Sequence, residues 1–155
     1  MNHDTEHCVF CAILAGRVVA DIVHRDAHCV VLLDAFPLTR GHLLVVALRH
    51  AEHLEDLPQE SVAQLFRVGA RCSAAWRGDA AVRATNFLLN NGQGANQHVP
   101  HVHLHIIPRR RGDTPLLLWR QLTRFLNPFA ALGRRERLAR DAARVRALLA
   151  AGGPA

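Results

Sequence analysis

The chain has 155 residues, half of them apolar, with 19 basic residues against 13 acids for a net charge of +6. That length suits one domain with a core of its own, and with this apolar fraction disorder is not the default. All the basic residues are arginine, so Schiff-base and lysine-nucleophile chemistry are excluded.

No apolar run approaches the roughly 18 residues of a membrane span, and Met1 to Glu6 lacks the basic-then-apolar order of a leader, so a cytoplasmic protein with no membrane partner is expected. The four cysteines are spaced as a close pair, Cys8 and Cys11, plus Cys29 and Cys72 inside apolar segments. This is metal-site and core usage in a reducing compartment, not a disulfide framework. The charge is uneven: residues 1–108 carry eight arginines against ten acids, residues 109–155 eleven against three. An acidic partner for the tail and a plain compositional bias both fit that excess.

In chain order, a short helix is predicted around Phe10 to Leu14, ending near Gly16. Val18 to His24 and His28 to Leu33 form a hairpin over Asp26-Ala27, and Leu43 to Val46 gives a third strand after the turn from Pro37 to Gly41. Asp56 can cap a helix, with Gln59 three residues later, that runs to about Trp76. Its buried stripe is Val62, Leu65, Phe66, Gly69, Cys72 and Trp76. Strands Val82 to Leu89 and Val102 to Ile107 follow, joined by a Gly- and Asn-rich loop over Asn90 to Gln97. Beyond Arg109, Leu116 to Trp119 and Leu122 to Leu126 are apolar, Pro128 interrupts, and Leu138, Ala142, Val145 and Leu149 line one side of a final Arg-studded helix. The order predicts an α+β fold: a mostly antiparallel five-stranded sheet with one long helix and a C-terminal helical extension.

His101-Val102-His103-Leu104-His105-Ile106-Ile107 carries the chemistry. Three histidines alternate with branched apolar residues, so a strand would project all three imidazoles from one face, roughly 7 Å apart. Buried imidazoles demand partners, so the row reads as a site for a metal, a nucleophile, or both. The loop before it can turn backbone N–H groups toward an anion. Cys8-Val9-Phe10-Cys11 alone is a weak signal, and a thioredoxin-like role would need a βαβ setting that is not visible here.

The run from Ala95 to Arg109, with Gln97 before His101, His103 and His105, closely resembles the signature of the histidine triad family. Asp34-Ala35-Phe36-Pro37-Leu38-Thr39-Arg40-Gly41-His42 followed by Arg49-His50 is similar to that family's N-terminal half, and the match covers residues 8 to 112. The resemblance implies a catalytic domain over residues 1–112. Beyond it, residues 113–155 read as an Arg-rich helical extension that packs on the same domain, with completion of a partner subunit's nucleotide pocket or contact with an acidic ligand as the other placements. It implies a hydrolase or transferase acting at a nucleoside α-phosphate, with a purine nucleotide as substrate and a covalent nucleotidyl intermediate on His103. His105 and Gln97 would complete the catalytic group, and Asp34, Asn90, Gln97, His98 and His105 would bind substrate. One structural zinc per chain on Cys8, Cys11, His50 and His101, no organic cofactor, and a homodimer are implied too.

Departures from the pattern are Ala47-Leu48 for a frequent Pro-Lys, Asn96 for a usual Gly, and His98 for a Ser or Thr. Two other readings stand beside this one. One is a zinc hydrolase with a catalytic metal on His101, His103 and His105. The other is a nucleotide- or nucleic-acid-binding regulator with vestigial catalysis, for which nucleic acid is a possible but not favoured partner.

Overall fold

The computed structural model describes residues 7–123 and 134–152. A five-stranded antiparallel sheet runs in the order β1-β2-β3-β5-β4, built from β1 (Ile22–Arg25), β2 (Cys29–Leu33), β3 (Leu43–Ala47), β4 (Val82–Leu89) and β5 (His103–Arg110). Helix α1 (Val9–Leu14) lies against one face and the long helix α2 (Gln59–Ala75) against the other, followed by α3 (Thr114–Thr123) and α4 (Arg134–Ala151). This is the α+β arrangement expected. Part of the predicted apolar segment Leu122 to Leu126, and Pro128, lie outside the described residues. None of the described helices is long and apolar enough to cross a membrane.

The sheet is buried on both faces at its centre, and side-chain alternation sorts it into two clusters. Cys29, Val31, Leu33, Leu43 and Val45 face Leu65, Val68 and Cys72 of α2, and Ala142 and Val145 of α4 join that side. Val30, Leu32, Leu44 and Val46 face Phe10 of α1 and its N-cap residue Cys8. Helix α2 can approach closely because position 69 is glycine: a Cβ there would stand 3.0 Å from Leu104 and 3.1 Å from Ile106 and Phe87. Gly41 has φ +77°, and a Cβ there would overlap the Trp76 ring, so the turn before β3 requires it.

Several local expectations change. Asp56 does not cap α2; it closes a 3-10 turn over Leu54–Asp56, Leu57 is extended and Pro58 is the N-cap. The residue before a proline is driven out of the α region, so the helix cannot run through position 57. On α2, Val68 is buried while Phe66 is 42% exposed. β1 starts at Ile22 instead of Val18, and β5 starts at His103 and extends to Arg110. Pro108 is tolerated there because Leu43↔Ile106 is the last pair with β3, so no ladder bond needs its missing N–H, and its carbonyl accepts from Thr39 Oγ1 at 2.8 Å instead.

Candidate functional site

His103 and His105 pair with Val46 and Leu44 of β3, which places them on the face that α1 covers. Their ring centroids are 4.9 Å apart, closer than the backbone repeat because the rings incline toward each other. His101 precedes the strand. Its ring nevertheless ends on the same side, 5.6 Å from the Phe10 ring, which is 5.0 Å from His103.

The hydrogen bonds assign different roles to adjacent histidines. His101 Nε2 lies 2.8 Å from the Ala47 carbonyl, and a carbonyl only accepts, so Nε2 carries the proton and Nδ1 presents its lone pair. That Nδ1 stands 3.3 Å from Cys8 Sγ, 3.7 Å from Cys11 Sγ and 3.3 Å from His50 Nδ1, while Cys11 Sγ is 3.4 Å from His50 Nδ1. Burial holds the His101 ring down at about 4, so it stays neutral. Burial, with Cys8 alongside, pushes the Cys11 thiol up to about 11.

A tetrahedral zinc with Zn–S of about 2.3 Å and Zn–N of about 2.05 Å separates its sulfur and nitrogen ligands by about 3.6 Å and its nitrogens by about 3.3 Å. The four donors fit a zinc ion. The Ala47 carbonyl fixes the His101 tautomer, as outer partners of metal-binding histidines do. Because it acts through the backbone, a side chain as small as alanine serves at position 47.

His103 is held the opposite way round. Its Nδ1 is 2.6 Å from the His101 carbonyl, so Nδ1 donates and Nε2 is the basic nitrogen. His103 and His105 line a cavity of about 330 Å³ together with Asp34, Asn90 and His98. Asp34 Oδ1 accepts from the Phe36 amide at 2.8 Å, and Asn90 Nδ2 donates to the Asn96 carbonyl at 3.0 Å. Asn96 has φ 63°, a left-handed conformation that asparagine tolerates, which accounts for its standing where glycine is usual.

Gln97 does not line this cavity. Its Oε1 accepts from the Gly92 amide and its Nε2 donates to the Glu52 carbonyl at 2.8 Å, so it ties the loop to the segment after β3.

His42 is the residue that the sequence reading did not single out. It is fully buried, with Nε2 3.0 Å from His105 Nδ1 and Nδ1 3.2 Å from Asp34 Oδ2. The Leu38 amide also points at Nδ1, at 3.2 Å, so this nitrogen faces both a donor and the Asp34 carboxylate, and Nε2 is left to share one proton with His105 Nδ1. The Gly41-His42 pair was the available signal; the partner 63 residues away was not visible.

Among the described residues the metal-competent groupings are Cys8, Cys11, His50 and His101, and separately Asp34, His42 and His105. A catalytic metal shared by His101, His103 and His105 is therefore set aside: His101 turns its lone pair to the cysteines and His103 commits Nδ1 to a carbonyl. Several C-terminal arginines are engaged in holding α4 down. Arg144 pairs with Asp79 at 2.9 Å and Arg146 donates to the Ile22 carbonyl at 2.8 Å.

The HIT domain family matches residues 16–112. A Zn-bound histidine triad family protein from Mycobacterium smegmatis superposes with a TM-score of 0.76 at 35% identity, covering 95% of this chain and 96% of that one. Adenylylsulfatase HINT3 of Arabidopsis thaliana is 38% identical over 112 residues, 68% of this chain and 54% of its own length. Adenosine 5'-monophosphoramidase HNT1 of Saccharomyces cerevisiae is 31% identical over 111 residues, 72% of this chain and 68% of its own.

Proposed function

The chain belongs to the histidine triad family, and from that premise we propose that it is a nucleotide hydrolase or transferase acting at the α-phosphate of a purine nucleotide through His103. The observation that carries this reading is the 2.6 Å bond from His103 Nδ1–H to the His101 carbonyl, on a ring that lines the cavity. The carbonyl fixes the tautomer and stabilises the positive charge that the ring gains as Nε2 attacks phosphorus.

In the first step the Nε2–P bond forms as the bond from phosphorus to the leaving group breaks. The leaving group departs with the bonding electron pair. In the second, water or another acceptor attacks the same phosphorus as the Nε2–P bond breaks and loses its proton to solvent, giving the nucleoside monophosphate with water or the nucleotidylated acceptor otherwise, with His103 restored. His105, oriented by His42, donates toward the phosphate; Asp34 serves the ribose hydroxyls, and Asn90 and His98 border the leaving-group side. Gln97 acts by holding the loop. The names of two relatives, an adenylylsulfatase and an adenosine monophosphoramidase, support an adenylyl group joined to a small leaving group.

We assign one zinc per chain to Cys8, Cys11, His50 and His101. When bound, it supplies a closed four-ligand cross-link between α1, the segment after β3 and the start of β5, and leaves no position for substrate. Residues 1–112 then form the catalytic domain and 113–155 an extension whose helix α4 packs on it, in a cytoplasmic protein. Edge strand β4, with Phe87 and Leu88, and the adjacent Phe66 of α2 expose 38–42% of their surface, which supports a homodimer formed through that side.

Turnover of a panel comprising adenosine phosphoramidate, a diadenosine polyphosphate and a nucleotide sugar tests the reading. Release of adenosine monophosphate from at least one is expected, and no turnover of any contradicts it.

A further inference from the structure

Helix α4 lies wholly beyond the stretch that matches the family, yet it reaches the cavity. Leu138, in its second turn, lines the same cavity as His103 and His105, and among the described residues it is the one lining side chain contributed from after residue 105. Its position is fixed by the rest of the helix. Ala142 and Val145 are buried in the core on the α2 side of the sheet, with Leu138 half-buried against the same cluster. Arg40 Nη2 donates to Asp141 Oδ1 at 2.7 Å, which ties α4 to the turn that carries Asp34 and Phe36. The Arg146 bond to the Ile22 carbonyl ties it to β1.

The sheet order says which end of the cavity this is. β1 is three strand spacings, roughly 14 Å, from β5 with its two histidines. Val18, Val19, Ala20 and Leu33 line the cavity near β1 and make that end mostly apolar, with Asp21 as its one carboxylate, whereas Asn90, His98, His103 and His105 gather at the other end. A nucleotide with its phosphate at His103 and its ribose at Asp34 would direct its base toward the apolar end, where Leu138 stands.

We propose that α4, through Leu138, forms the base-end wall of the nucleotide cavity, so that the C-terminal extension sets affinity for the base. This rests on the nucleotide reading above. Leu138 is a specificity residue and touches no reacting atom.

The test is calorimetric binding of adenosine 5'-monophosphate and of ribose 5-phosphate, which lacks the base, to the full chain and to three variants. Leu138→Ala is expected to weaken the nucleotide by about tenfold while leaving ribose 5-phosphate within about twofold, because a shortened apolar wall loses contact with the base alone. Leu138→Met is expected to restore most of the affinity. Leu149→Ala, which shortens another half-buried leucine of α4 packed on the core, is expected to lower stability without changing either affinity. Unchanged nucleotide binding by Leu138→Ala, or equal loss of both ligands, would overturn the proposal. If the parent chain itself binds no adenosine monophosphate, the nucleotide reading fails and this proposal falls with it; a parent that binds and an alanine variant that binds equally well overturn the wall alone.

Discussion

His103 Nδ1 donates to the backbone carbonyl of His101 at 2.6 Å, while the His101 side chain turns its own Nδ1 to Cys8 Sγ at 3.3 Å. Two histidines two residues apart are thus held in opposite tautomers, which fits the roles proposed above, metal ligand for His101 and nucleophile for His103. The backbone of the first orients the ring of the second. Loosening the zinc site would therefore disturb the reacting nitrogen through His101 without any metal touching substrate.

Zinc is expected at one per chain in untagged protein by metal analysis. Cys8→Ser should lower the melting temperature by about 10 °C or more, since a closed site contributes folding energy directly, while the rate per folded, nucleotide-bound molecule falls much less. A zinc-free parent with Cys8→Ser equally stable would contradict the assignment.

His42 should behave as a positioning residue. Its bond to His105 Nδ1 at 3.0 Å is internal to the protein, so His42→Ala is expected to reduce kcat about 10- to 100-fold with little change in KM, and the adduct should still form on His103. Single-turnover kinetics check this. A large rise in KM with kcat intact would instead place His42 in ground-state binding.

The hairpin turn gives a pH prediction. Burial raises the Asp26 carboxyl, but Gln64 Nε2 at 2.9 Å and the His28 and Cys29 amides at 2.8 Å outweigh it and hold the group down at about 2. A depressed carboxylate stabilises the fold above its unfolded value of about 3.9, and the contribution disappears as pH falls from there through about 2. With the solvent exposure of this group taken into account, Asp26→Asn should cost about 1 kcal/mol at pH 7 and progressively less toward pH 2. Urea unfolding of both proteins at matched pH measures the difference, and a gap that stays constant with pH would contradict the account.

Elements governed by local pattern were legible in the sequence. β4 runs over Val82–Leu89 as its composition indicates, and the spacing of Leu138, Ala142 and Val145 marks the inward side of α4. What escaped depended on distance in sequence or on one overriding residue. Pro58 moved the start of α2 past Asp56, and the open side at β4 left Phe66 exposed. His42 gained its meaning only from the register that sets Leu44 opposite His105. Gln97 looked like a phosphate contact, and its amide proved to be engaged by two backbone groups that no spacing rule brings together. Likewise, the periodicity of α4 showed which residues turn inward but not that Leu138 would border the cavity.

The most direct test of the central claim is a quenched reaction with substrate labelled at the α-phosphate, followed by peptide mapping of the adduct. Label is expected on His103 and absent from His98, His101 and His105, and His103→Ala should lose turnover while keeping nucleotide affinity within about tenfold, since the missing ring acts in bond making. Label on another histidine, or full turnover by His103→Ala, would contradict the assignment of His103 as the nucleophile.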